Sequence, residues 1–156
     1  MTRRLVPTLA VVLVLVGCGG DAAPQVRFAA GAGAVDAHPT QYCNLENTEC
    51  RNDGAAPVDL AVPPGTPLLI TVPDQIAETP WQVVFTYRDA SGAPVDERSE
   101  VFAPDERRDY SLALPTPADR LLTAQVQQYG PPPVANPETG GIDFPIRASW
   151  VLTVTV

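Results

Sequence analysis

Trp81-Gln82-Val83-Val84-Phe85-Thr86-Tyr87-Arg88 puts Trp81, Val83, Phe85 and Tyr87 at every second position. Successive side chains of a strand point to opposite faces, so these four large groups share one face while Gln82, Thr86 and Arg88 take the other. The segment reads as a core strand. After it, Asp89-Ala90-Ser91-Gly92 reads as a hairpin turn, with Gly92 available for a positive φ. The return from Val95 to Phe102 carries Asp96, Glu97, Arg98 and Glu100, the pattern of an edge strand protected by charge.

Further outward the alternation recurs. Tyr110, Leu112 and Leu114 follow a charged turn over 105–109, Leu122, Ala124 and Val126 form another inward row, and Ala148, Trp150, Leu152, Val154 and Val156 close the chain. On the N-terminal side, Val58, Leu60 and Val62, then Pro63-Pro64-Gly65-Thr66, then Leu68, Ile70 and Val72 read as two edges of a sheet joined by a turn. Val26 and Phe28, the Gly31-Ala32-Gly33 turn and residues 35–38 suggest one more short hairpin. Seven strands are expected from Val58 onward, with no amphipathic helix of ten residues. That pattern predicts an all-β fold, an immunoglobulin/fibronectin-III-like β-sandwich, with a small β-barrel as the alternative.

The first residues have a different logic. Arg3 and Arg4 precede an apolar run over 5–16, too short at about a dozen residues for the roughly 20 that span a bilayer. This is the charged, apolar and small-residue order of a secretory signal. Leu15-Val16-Gly17-Cys18 has the form of a lipobox, in which the cysteine is acylated and becomes the first residue after cleavage. The sequence therefore divides into a signal peptide over 1–17, a lipidated Cys18 with a flexible tether over 18–24, and one sandwich domain over 25–156. Two or more acyl chains give durable anchoring where one gives marginal binding. The expected location is the outer face of the plasma membrane.

Without Arg3 and Arg4, the balance of 10 basic and 18 acidic residues moves from −8 to −10. Such a surface repels phosphates, so nucleic acid is not an expected partner. The 18 prolines and 11 glycines argue for short strands and many turns. With Cys18 committed to lipid, Cys43 and Cys50 are left to pair in an oxidising compartment. A zinc site would need two further ligands at suitable spacing, and His38 is the sole histidine.

The segments Gln41-Tyr42-Cys43, Thr79-Pro80-Trp81, Val126-Gln127-Gln128-Tyr129-Gly130 and Arg147-Ala148-Ser149-Trp150-Val151-Leu152, in this order behind a lipobox, resemble the actinobacterial lipoprotein family catalogued as domain-of-unknown-function 2771. The resemblance spans nearly the whole chain after the signal. It implies a place in the envelope, and it brings no activity, ligand or catalytic residue to carry over.

Residue chemistry points the same way. Acyl transfer by a serine needs a nearby base, and no G-x-S-x-G turn accompanies His38. Asp96, Glu97, Glu100, Asp105, Glu106 and Asp109 are interspersed with Arg98, Arg107 and Arg108, as on a solvated edge, and lack calcium-loop spacing. No catalytic residue, cofactor or metal site is expected. The connection over 130–145, with Pro131, Pro132, Pro133, Asn136 and Pro137, is longer than most and proline-rich, which makes it the candidate contact loop. Asn136-Pro137-Glu138-Thr139-Gly140 echoes a sortase signal without the apolar span and basic tail that such a signal needs. The sequence thus predicts a non-enzymatic, lipid-anchored interaction module touching the membrane through Cys18 and an envelope protein partner. The alternative is a small-molecule or lipid carrier with a cavity between its sheets.

Overall fold

The computed structural model of the protein describes residues 22–130 and 134–155. Its strands in chain order are β1 (Val26–Ala30), β2 (Gly33–Ala37), β3 (Gln41–Cys43), β4 (Cys50–Asn52), β5 (Val58–Ala61) and β6 (Leu68–Thr71). A single helical turn, α1 (Asp74–Ala77), leads to β7 (Trp81–Arg88), β8 (Pro94–Arg98), β9 (Asp109–Leu112) and β10 (Arg120–Tyr129). Two short strands, β11 (Val134–Ala135) and β12 (Ile142–Asp143), precede the last, β13 (Ile146–Thr155).

Two sheets result. The smaller has the order β2-β1-β6-β9, and the larger runs β4-β3-β13-β10-β7-β8, with β5 on β13 as well. β3 pairs antiparallel with the start of β13 and β5 pairs parallel with its end, so the two share one edge in succession. The chain changes sheets between β2 and β3, β5 and β6, β6 and β7, β8 and β9, and β9 and β10. These crossings make a sandwich of Greek-key character. No described strand of one sheet pairs with a strand of the other, so the barrel alternative is excluded.

The core lies between the inner faces. Val26, Phe28, Leu68 and Ile70 from the smaller sheet meet Trp81, Val83, Val126, Trp150 and Leu152 from the larger, all of them buried. Burial of each large side chain is worth about 1.5–3 kcal/mol, so the large residues at every second position of β7 and β13 hold these strands by one face against the opposite sheet. Between β7 and β8, Asp89 Oδ1 accepts from the Ser91 and Ala93 backbone N–H groups at 2.8 and 2.9 Å, and Gly92 takes φ 89°. The Ser91 hydroxyl, then the backbone donors, hold the Asp89 carboxyl below its usual range.

Several expectations need correction. The turn at 63–66 does not join two edges of one sheet: β5 belongs to the larger sheet, while β6 sits inside the smaller one between β1 and β9. Period-two patterning marks strands but not the sheet each joins. The expected hairpin of β1 and β2 is present and supplies half of the smaller sheet. In β10, Leu121 opposite Tyr87 is followed by Thr123 opposite Thr86, so Leu122 is the extra residue of a bulge. Leu121 therefore points inward in its place. The charged return ends as a strand at Arg98, and Phe102 turns in to meet Trp81, ring centroids 4.6 Å apart, with Arg107 above it at 4.6 Å.

Candidate contact surface

The end of the sandwich where β7 and β13 begin gathers most of the irregular structure. Cys43 and Cys50 are directly opposed in the β3–β4 hairpin and joined by a disulfide, Cα atoms 4.0 Å apart. Asn44 closes the turn between them, its Oδ1 accepting from the Thr48 and Glu49 backbone N–H groups at 2.9 and 3.2 Å. Arg147 fastens this hairpin to β13. Its Nε donates to the Cys43 carbonyl at 3.1 Å and its guanidinium lies over the Tyr42 ring at 5.2 Å.

The 130–145 connection rises beside it. Gly130 N–H donates to the Pro145 carbonyl at 2.8 Å, and a Cβ on Gly130 would stand 3.1 Å from Arg147 Cβ, so the close approach favours glycine. Rather than an open loop, the described part is a small hairpin of β11 and β12. Asn136 organises its tip. Its Oδ1 accepts from the Glu138 and Thr139 N–H groups at 2.9 and 3.2 Å, and its Nδ2 donates to Asp143 Oδ2 at 2.7 Å. Asn136 is thus engaged within the turn, whereas Pro137 stands exposed. Pro131, Pro132 and Pro133 lie outside the described residues, as does Cys18. Below the hairpin, Phe144 meets Tyr129 edge-on at 6.2 Å, and burial pushes the Tyr129 phenol up.

The N-terminal segment arrives at this same end. Val26 opens β1 opposite Ala37, and Arg27 pairs with Thr71, the last residue of β6 before the chain passes through α1 to β7. Before it, the Pro24 carbonyl accepts from the Trp150 indole N–H at 2.9 Å. Ala22 and Ala23 border a cleft of about 700 Å³ with His38, Tyr42, Arg51 and Asp53. His38 is bonded to the Gln25 amide at 2.8 Å, and neither serine nor cysteine lines that cleft.

The acidic run named from sequence is dispersed. Asp96 accepts from the Thr86 hydroxyl at 2.6 Å, Glu106 from the Ala103 N–H at 2.8 Å, and Arg108 pairs with Asp74 and with Asp105. Among the described residues no group of three His, Cys, Asp or Glu side chains could hold a metal ion. What sequence reasoning missed is the role of Gln128. Fully buried, it donates from Nε2 to the Gln75 carbonyl and to Thr79 Oγ1, each at 2.9 Å, tying α1 to β10. Its place in the inward row after Ala124 and Val126 was the available signal.

Residues 20–154 match a family described as "Protein of unknown function (DUF2771)". The chain belongs to this family. Uncharacterised proteins of Mycobacterium tuberculosis and Mycobacterium bovis are each 27% identical to this DUF2771 chain over 139 residues, covering 81% of it and 83% of their own length. No solved structure matches the chain. The four segments that carry the family resemblance converge at the end just described. Tyr129 N–H donates to the Pro80 carbonyl at 2.9 Å, Gln128 reaches Thr79, and Arg147 reaches Cys43. In this DUF2771 chain the disulfide hairpin, the β11–β12 hairpin and the segment from Ala22 therefore lie at one end of the sandwich, although they are far apart in sequence.

Proposed function

We propose that this DUF2771 chain is a lipid-anchored lipoprotein of the cell envelope, held at the outer face of the plasma membrane by acyl chains on Cys18, whose sandwich acts through contacts with an envelope partner rather than by catalysis. The observation that carries the reading is the join between the lipobox and the fold. Pro24, six positions after Cys18, already gives its carbonyl to Trp150, so an anchor at Cys18 would hold the sandwich itself close to the bilayer. The Cys43–Cys50 disulfide accords with an oxidising compartment.

The rival reading, a carrier with a ligand between its sheets, draws no support from the described core. Trp81, Trp150, Phe28 and Phe102 are each 0% exposed there, and the clefts open at the ends and edges of the sandwich. Fractionation of cells producing the Cys18→Ala variant tests the proposal. The protein should leave the membrane fraction and appear soluble; retention in the membrane would sink the reading.

A further inference from the structure

Four large apolar side chains stand in solvent among the described residues: Leu45 at 59%, Val101 at 52%, Phe144 at 54% and Leu69 at 45% exposure. Three of them lie at one end of the sandwich. Leu45 is on the disulfide turn, Phe144 follows β12, and Val101 precedes Phe102, whose backbone bonds to that of Trp81 at the start of β7. Leu69 sits instead within β6, on the outer face of the smaller sheet. The opposite end, formed by the β1–β2 turn, the β7–β8 turn and the end of β13, carries none of them.

That same end receives the chain from Cys18. Six residue steps separate Cys18 from Pro24, and at 3.3–3.6 Å per extended residue they span at most about 22 Å. A sandwich of this size cannot turn its far end to the bilayer on so short a lead, because Pro24 is bonded at the near end.

We infer that the end bearing Leu45, Phe144 and the β11–β12 hairpin is a membrane-facing surface, with Leu45 and Phe144 resting in the interfacial zone of the phospholipid bilayer. The inference rests on the lipid-anchored reading and names the surface that the anchor brings to the lipid. Glu46, Glu49, Glu138 and Asp143 stand beside the two tips while Arg51 and Arg147 lie behind them, so the tips themselves offer an anionic bilayer no electrostatic attraction. Contact depends on the local concentration that a covalent anchor supplies.

The test couples the chain from Cys18, through its thiol, to a maleimide-bearing lipid in vesicles of phosphatidylcholine and phosphatidylglycerol, part of the former brominated on its acyl chains. Trp81 and Trp150 are buried and give a background common to all variants. Phe144→Trp and, separately, Leu45→Trp should each emit further to the blue once coupled and lose several-fold more intensity to bromine than Ala32→Trp, placed in the β1–β2 turn. Equal quenching at both ends, or stronger quenching of Ala32→Trp, would overturn the inference. Because the maleimide replaces the acyl chains, this outcome is read independently of the Cys18→Ala fractionation that decides whether cells anchor the protein.

Discussion

β7 and the 130–145 connection meet at the same end of the molecule and are ordered by opposite means. In β7 every second side chain is held between two sheets, and the strand pairs on both sides, with β10 and β8. The β11–β12 hairpin pairs only with itself, and its tip is shaped by polar bonds centred on Asn136. Burial makes the first a shared property of the whole core. Local hydrogen bonds make the second a separate unit, able to vary in shape without disturbing the sandwich, as contact loops on rigid scaffolds do.

The contrast is sharpest where the core is opened. Trp150→Ala should cost about 3–5 kcal/mol of unfolding free energy, since it empties the inter-sheet space and removes the donor to Pro24. Denaturant titration reads this directly, and a loss below a third of that range would mean that the two sheets are not locked through this residue. An intermediate effect is expected at the link between the regions. Replacing both Cys43 and Cys50 by alanine should cost about 2–3 kcal/mol, the closure entropy of so small a ring. Thiol alkylation of the unaltered protein should label neither cysteine before reductant is added. The smallest change belongs to the hairpin. Asn136→Ala should cost about 1 kcal/mol or less globally, because its bonds are solvent-exposed. Amide exchange should nevertheless accelerate at Glu138 and Thr139 while β7 keeps its protection; a parallel loss in β7 would erase the distinction between the two regions.

The core of this fold was legible because alternation is a local signal. Trp81 to Tyr87 and Ala148 to Leu152 could be assigned to inner faces from spacing alone, and the structure buries them. The bulge at Leu122 was hidden because it shifts the phase of a strand whose neighbours Leu121 and Leu122 are chemically alike. Phe102 was hidden too, at the end of a charged segment whose composition describes an edge while its last aromatic residue fills the core. The pairing of Cys43 with Cys50 could be reached by elimination, and the candidate loop by its length and prolines. The internal role of Asn136 depends on the turn that surrounds it.

The sequence by itself determined the all-β class, the inner faces of the long strands and the pairing of Cys43 with Cys50, and by resemblance it pointed to the family. The class, the inner faces and the cysteine pair follow from side-chain spacing and chemistry along the chain. Only the tertiary structure decided that β5 and β6 part to different sheets and that the N-terminal hairpin completes the smaller one. It also brought the four segments, Pro24, the disulfide hairpin and the β11–β12 hairpin to one end. Those placements depend on which distant strands pair, and pairing is settled by burial of the whole core at once rather than by any stretch read alone.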